Sequence, residues 1–85
     1  MDEKRKLIRT EIKNYLLEFH DSIHCLIDLH IAKINSNINF DNEIKVSREE
    51  IEAEITLLAE EGVFEKDENE YFKYYVNKEN ISKII

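Results

Sequence analysis

The 85-residue chain has no proline, one glycine, one cysteine and no long apolar run. A single glycine excludes the glycine-rich loops of nucleotide sites and the G-x-S-x-G nucleophile turn. A single cysteine, Cys25, excludes an internal disulfide. No apolar run approaches the roughly 20 residues that span a bilayer, and the N-terminal "MDEKRK" lacks the apolar segment of a signal peptide. We therefore predict an intracellular protein, cytoplasmic or nuclear, with no membrane span, no enzymatic activity and no cofactor.

The composition indicates one small acidic domain. Hydrophobic residues make up 42% of the chain, which is typical of folded proteins. A chain of this length cannot enclose two cores, so we predict a single domain over residues 1–85. Nineteen acidic residues against twelve basic ones give a net charge of −7, which disfavours non-specific attraction to nucleic acids and anionic membranes. A basic or polar protein partner is the expectation.

Apolar residues recur at helical spacing from near the N-terminus to about Ile34. Asp21 and Ser22 are good N-cap residues just before the second apolar series. We therefore predict two helices, at about 4–19 and 22–34. The alternative is one long helix that dimerises as a coiled coil, although the heptad register drifts around Ser22.

The next segment, residues 35–46, is rich in asparagine. Asparagine and aspartate side chains compete with the hydrogen bonds of a helical backbone, so we predict a loop here. Phe40 and Ile44 are expected to hold this loop against the core.

The start and end signals of a third helix are clear. Ser47 and Glu50 form the S-x-x-E pattern of a capping box. The helix is predicted to bury Ile51, Ile55 and Leu58. Gly62 supplies the left-handed residue that ends it.

Beyond Gly62 the spacing of apolar residues changes to that of strands. The runs "VFEK" and "YFKYYV" flank the turn-forming "DENE" and predict a β-hairpin. The terminal "NKENISKII" predicts a short helix with Ile81, Ile84 and Ile85 as its apolar residues. The predicted fold class is α+β.

Residues 46–76, "VSREEIEAEITLLAEEGVFEKDENEYFKYYV", resemble the third helix and wing of the winged helix-turn-helix superfamily. That pattern reads as an I-x-x-x-I-x-x-L helix, an E-G turn, a strand and a Y-x-Y-V return strand. The rest of the chain resembles the superfamily only in the order of its elements. The resemblance implies a three-helix bundle with a β-hairpin wing.

Two groups of the superfamily resemble particular segments of the chain. C-terminal winged helices of cullin-type ubiquitin-ligase scaffolds resemble "SIHCLIDLHIAKI" and the wing, and those of minichromosome-maintenance helicases resemble "EEIEAEITLLAEEGVFEK". The cullin group carries a modifiable lysine in an I-V-R-I-M-K run, which "EIKNYLLEF" does not reproduce, so neddylation is not transferred. The predicted loop before the third helix is also longer than the compact DNA-binding turn.

In a DNA-binding member the third helix would read the major groove. Its predicted outer face carries Arg48, Glu49, Glu52, Ala53, Thr56 and Glu60. The carboxylates of this face would be repelled by phosphates, and base reading relies mainly on Arg, Lys, Asn and Gln. We therefore predict that this face and the wing bind a protein partner. The predicted partner-binding residues are Arg48, Glu49, Glu52, Thr56, Lys66, Lys73 and Tyr75.

Basic residues cluster instead on the first helix, at Lys4, Arg5, Lys6, Arg9 and Lys13. We interpret this cluster as a solvated helix face balanced by acidic neighbours such as Glu11. In the DNA-binding alternative, the same five residues would contact phosphates.

His20, His24 and Asp28 are spaced four apart, which on one continuous helix is a geometry used for zinc. No second cysteine accompanies them and the predicted helix break separates His20, so we predict partly buried histidines and no metal site. Cys25 is not predicted to be a nucleophile. For the wing tyrosines we predict that two pack in the core and one is exposed. They are Tyr71, Tyr74 and Tyr75.

Three functions are compatible with these features. The leading hypothesis is a non-enzymatic protein-interaction module of winged-helix type within a larger complex. The alternative is a small DNA-binding regulator that forms a homodimer through its N-terminal helices. The third is an acidic decoy whose carboxylates imitate phosphates and inhibit a DNA-handling protein, which the modest net charge disfavours.

Overall fold

The computed structural model of the chain describes residues 2–19, 24–70 and 72–85. Within these residues it contains three α-helices, three short strands and a terminal 3₁₀ helix. In chain order they are α1 (Glu3–Glu18), β1 (Cys25–Ile27), α2 (Asp28–Asp41), α3 (Arg48–Glu60), β2 (Phe64–Lys66), β3 (Lys73–Val76) and the 3₁₀ helix (Lys78–Lys83). The predicted α+β class is confirmed, and the order of elements is compatible with a winged-helix arrangement.

Helix α1 forms where the apolar spacing predicts it. The side chain of Asp2 caps it by accepting a hydrogen bond of 2.8 Å from the backbone N–H of Arg5. One face of the helix buries Ile8, Ile12 and Leu16. The single long helix is overturned, because strand β1 lies between α1 and α2. The N-caps Asp21 and Ser22, predicted for the second helix, lie outside the described residues.

The second helix was predicted at 22–34, and this prediction is wrong in position: α2 begins at Asp28 and continues to Asp41. The backbone N–H of Ile27 donates to His30 Nδ1 at 3.0 Å, which helps to start the helix there. The predicted loop at 35–46 is wrong over its first half. Ile31, Ile34 and Ile38 are all fully buried, and they extend one apolar stripe through the asparagine-rich segment.

The asparagines do not break α2, because their side chains bind the loop that follows it. Asn35 and Asn39 each donate to the backbone carbonyl of Val46 at 3.0 Å, and Asn39 Oδ1 accepts from the N–H of Val46 at 2.8 Å. Val46 is thereby held in the core. The prediction that Phe40 attaches this segment to the core is wrong: Phe40 is 89% exposed, and Ile44 is only half-buried.

Both ends of α3 match the sequence prediction. Ser47 Oγ accepts from the N–H of Glu50, and the Glu50 carboxylate accepts from the N–H of Ser47, so the capping box is confirmed. Gly62 has φ of 87°. Its N–H bonds the carbonyl of Ala59, and the N–H of Val63 bonds that of Leu58, which is the Schellman ending of a helix.

The sheet contains the predicted hairpin and one further strand. β2 pairs with β3 in antiparallel register, with Phe64 opposite Val76. Strand β1, which is not predicted from the sequence, pairs with the other edge of β3 and places Cys25 opposite Tyr75. The strand order is therefore β1-β3-β2.

The core lies between the three helices and the inner face of this sheet, which contributes Leu26, Phe64 and Tyr74. The terminal segment covers one side of the core. Ile81 and Ile84 are buried, whereas Ile85 is 56% exposed. None of the helices in the described residues is both long and apolar enough to cross a membrane.

Candidate protein-interaction surface

The outer face of α3 is the first candidate surface, and it is acidic. Glu49, Thr56 and Glu60 are exposed, and Glu52 is half-exposed. Helix geometry places them opposite the buried residues Ile51, Ile55 and Leu58. We call Arg48, Glu49, Glu52, Thr56 and Glu60 the acidic helix patch.

The single basic residue of α3, Arg48, is already neutralised within the chain. Its Nε lies 3.1 Å from Glu52 Oε1, one turn further along the helix. Its guanidinium also forms an ion pair with Asp28, at the first turn of α2. Arg48 therefore joins two helices, and the acidic helix patch has no basic residue other than Arg48.

The wing supplies a second candidate surface. Residues that pair across a sheet project their side chains to the same face, so Cys25, Glu65 and Tyr75 lie on one face of the sheet. Lys73 is two residues before Tyr75 on the same strand and therefore lies on the same face. The Lys73 ammonium lies 5.4 Å from the centre of the Tyr75 ring, within cation–π range. We call Lys73 and Tyr75 the tyrosine patch.

The other predicted wing residues are not part of the tyrosine patch. Lys66 pairs with Tyr74 and therefore lies on the opposite face of the sheet from Tyr75. It is exposed because it is the last residue of β2. Tyr74 is buried, as predicted for two of the tyrosines, and Tyr75 is 41% exposed. Tyr71 lies outside the described residues.

The phenol of Tyr75 is fixed by the turn between β2 and β3. It donates a hydrogen bond of 2.7 Å to Asp67 Oδ2, and Asp67 Oδ1 accepts from the N–H groups of Asn69 and Glu70. The hydrogen bond from Tyr75 is the main reason that the pKa of Asp67 lies below its ordinary value. The same bond raises the pKa of Tyr75. The tyrosine patch is thus ordered by the wing itself.

The basic cluster on α1 is largely paired with carboxylates of α3. Lys4 lies 2.9 Å from Glu50. Arg5 donates to both carboxylate oxygens of Glu54, at 2.9 and 3.1 Å. Lys6 is exposed and Lys13 is half-exposed. The carboxylates that pair with Lys4 and Arg5 therefore come from α3, a source that the sequence interpretation did not name.

Arg9 is buried, although the phosphate-contact alternative requires it at the surface. Its side chain is 4% exposed, and it bonds Glu54 at 2.5 Å and Glu61 at 2.7 Å. It also donates to the backbone carbonyl of Ile84 at 3.3 Å. Arg5, Arg9, Glu54 and Glu61 form what we call the ion cluster, which joins α1, α3 and the C-terminal segment.

The ion cluster was missed because Glu54 looks like one more surface acid. Burial of Glu54 acts to raise its pKa, but the hydrogen bonds and charges of Arg5 and Arg9 outweigh burial and hold the pKa below its ordinary value. Glu50 and Glu54 follow each other by one helical turn beside the buried Ile51 and Ile55. That spacing is the sequence signal that could have identified Glu54 as an inward-facing acid.

The residues considered for metal binding are not arranged as a helical face. His24 is exposed and precedes β1, whereas Asp28 begins α2 and pairs with Arg48. His20 lies outside the described residues. In the part of the chain that the structure describes, no three His, Cys, Asp or Glu side chains are placed to hold a metal ion. Cys25 is half-buried in β1.

Comparison of the chain with protein-family models, with curated proteins and with solved structures gives no match. A functional proposal therefore rests on the charge, the exposure and the internal pairing of the acidic helix patch and the tyrosine patch.

Proposed function

We propose that the protein is a non-enzymatic interaction module of winged-helix type, which acts within a larger intracellular complex and binds a basic segment of another protein. The observation that carries the proposal is the acidic helix patch, in which exposed carboxylates surround an arginine that is already paired. A positively charged partner is complementary to this surface.

The order of elements supports the winged-helix part of the proposal. Helix, strand, two helices and a hairpin follow each other, and β1 closes against β3 beside the wing. The exposed ring of Tyr75 supports the binding part, because tyrosine is enriched at interfaces, where it combines apolar area with a hydrogen-bonding group.

The charges disfavour a DNA-binding role. In helix-turn-helix proteins the second helix of the motif enters the major groove and the first crosses the backbone. Here those helices would be α3, with its carboxylates, and α2, which begins with Asp28. Of the five predicted phosphate contacts, Lys4, Arg5 and Arg9 are paired with carboxylates of α3 or its C-terminal end.

A charge-reversal experiment tests the proposal. The probes are a fluorescently labelled lysine-rich peptide and a labelled duplex DNA, each titrated at low and moderate salt and followed by polarisation. We expect the wild type to bind the peptide and not the DNA. The variant Glu49→Lys/Glu52→Lys should weaken peptide binding by about tenfold or more.

The matched control is Glu18→Lys/Glu43→Lys, which changes the net charge equally at exposed positions outside both patches. This control should keep most of the peptide affinity. If both double variants weaken the peptide equally, net charge alone is responsible and the acidic helix patch is not the binding site. Salt-sensitive binding of the wild type to duplex DNA would favour the regulator instead.

A further inference from the structure

An open cavity of about 230 Å³ lies between α1 and α3, beside the acidic helix patch. Its apolar lining comes from Ile8 of α1 and from Ala53 and Leu57 of α3. Because a water molecule takes up about 30 Å³, the cavity has room for one aliphatic side chain. We call Ile8, Ala53 and Leu57 the apolar cleft.

The apolar cleft is open to solvent on its α3 side. Leu57 is 37% exposed and Ala53 is exposed, whereas Ile8 is buried and forms the floor. Ala53 and Leu57 are one helical turn apart and therefore lie next to each other on α3. Because all three residues line one cavity, they form a continuous apolar surface, unlike the single exposed apolar side chains that are common on proteins.

The acidic helix patch borders the apolar cleft directly. At about 100° per residue, Ala53 lies within about 40° of Glu49 and Glu60 around the axis of α3. Both glutamates are exposed, and neither forms an ion pair with another residue in the described part of the chain. An apolar centre with a polar rim is the usual anatomy of a protein interface.

The cations in the wall of the cavity are already neutralised within the chain. Lys4 lies 2.9 Å from Glu50, and Arg5 lies 2.9 Å from Glu54. The remaining charged residue of the wall is Asp2, so the wall carries an excess of negative charge. The surroundings of the apolar cleft therefore attract a positively charged segment and repel an acidic one.

From this arrangement we infer that the basic segment bound by the protein carries an aliphatic side chain, which enters the apolar cleft while flanking lysine or arginine side chains contact Glu49 and Glu60. The inference rests on the proposed function and specifies its partner, a segment that is both basic and amphipathic. Burial of the aliphatic side chain supplies affinity that changes little with salt, whereas contacts with the exposed glutamates weaken as salt rises.

Two labelled peptides test this inference by polarisation. One peptide alternates lysine and serine, and the second has its central serine replaced by leucine. We expect the wild type to bind the leucine peptide at least about tenfold more tightly, because burial of a leucine side chain is favourable. Equal affinity for the two peptides overturns the inference and leaves the proposed function in place. Failure of both peptides to bind overturns the proposed function together with the inference.

A matched pair of variants locates the leucine on the protein. Leu57→Ser removes one wall of the apolar cleft without changing the charge. Its control is Leu29→Ser on α2, since Leu29 is 71% exposed and does not line the cavity. Leu57→Ser should lose most of the preference for the leucine peptide and keep its affinity for the lysine–serine peptide within about twofold. Leu29→Ser should keep the preference. If the two variants behave alike, the leucine binds elsewhere and the inference is wrong.

Methyl NMR locates the bound leucine without any substitution. The leucine peptide should shift the methyl signals of Ile8 and Leu57, and the lysine–serine peptide should shift them much less. The methyl signals of Leu29 serve as the internal control and should respond to neither peptide. A leucine peptide that binds more tightly but leaves the signals of Ile8 and Leu57 unchanged overturns the apolar cleft as its site.

Discussion

Arg9 and Glu54 face each other in the interior of the protein, with side chains 4% and 3% exposed and a hydrogen bond of 2.5 Å between them. A buried charge is tolerated only when it is paired and hydrogen-bonded. Arg5 completes the pairing of Glu54, and Glu61 completes that of Arg9. No buried side-chain nitrogen or oxygen in the described residues lacks a hydrogen-bond partner.

The first prediction is that Glu54→Gln strongly destabilises the protein. The substitution removes the buried carboxylate that pairs with Arg9 and leaves only the more exposed Glu61 to compensate the Arg9 charge. Breaking a buried pair costs up to about 3–5 kcal/mol. Urea unfolding followed by circular dichroism measures the change in the free energy of unfolding. Glu60→Gln, an exposed change on the same helix, should stay within about 0.5 kcal/mol of the wild type.

If Glu54→Gln and Glu60→Gln have equal effects, the ion cluster does not contribute to stability. A second variant separates loss of charge from loss of packing. Arg9→Met/Glu54→Leu replaces the pair by apolar side chains of similar size and should recover much of the stability lost in Glu54→Gln.

The second prediction is that the protein loses stability at acidic pH as Glu54 and Glu61 become protonated. The pKa of Glu54 is lowered in the folded protein, and the hydrogen bond from Arg9 is the main reason that the pKa of Glu61 is lowered too. The unfolded chain therefore binds protons at higher pH than the folded one does. The stability from these pairs is complete above the ordinary glutamate pKa of 4.5, and it is lost as the pH falls through the lower folded values.

Thermal unfolding measured from neutral pH down through the carboxylate range tests this prediction. The wild type should lose stability steeply below the ordinary glutamate pKa, and Glu54→Gln should show a shallower loss because one linked group is gone. Glu60→Gln should keep the slope of the wild type. Parallel curves for the wild type and Glu54→Gln would contradict the assigned role of Glu54.

The elements that sequence predicts well are those fixed by local chemistry. The start of α3 depends on Ser47 and Glu50, which are three residues apart, and its end depends on Gly62 alone. The hairpin depends on strand alternation on both sides of the turn-forming "DENE". Each of these signals is contained in a short window, so tertiary contacts did not need to be known.

The elements that sequence predicts poorly depend on distant partners. Strand β1 is three residues long and is defined by its pairing with β3, far along the chain. Asn35 and Asn39 indicated a loop by propensity, yet their bonds to Val46 are compatible with a helix, and burial of Ile38 overrides propensity there. The residues of the acidic helix patch could be predicted from helical spacing alone. The burial of Arg9 could not, because it depends on Glu54, which lies on another helix.

The third prediction is that Gly62→Ala costs about 1–2 kcal/mol of stability, because its φ of 87° is unfavourable for residues with a Cβ. The cost comes from the backbone and not from a clash: an added Cβ would lie 3.5 Å from Asn80 Nδ2, an ordinary contact. Chemical denaturation should show a smaller loss for Gly62→Asn, since asparagine tolerates left-handed backbone. Equal losses for the two variants would mean that the conformation is not what selects glycine.

The fourth prediction is that the Tyr75 phenol titrates above the ordinary tyrosine pKa. Its hydrogen bond to Asp67 is the largest cause, because ionisation would remove the donated proton and set two negative charges together. NMR titration of the tyrosine ring signals should show the raised pKa, and Asp67→Asn should lower it towards the ordinary value of 10.

Tyr15 is the internal control for this titration, because its pKa is raised mainly by burial and should not respond to Asp67→Asn. If Asp67→Asn leaves the pKa of Tyr75 unchanged, the phenol is not held by the turn. The Tyr75 side chain would then not be ordered in the unbound protein. Binding of a partner would have to immobilise it, and this entropy cost would reduce the affinity that the tyrosine patch contributes.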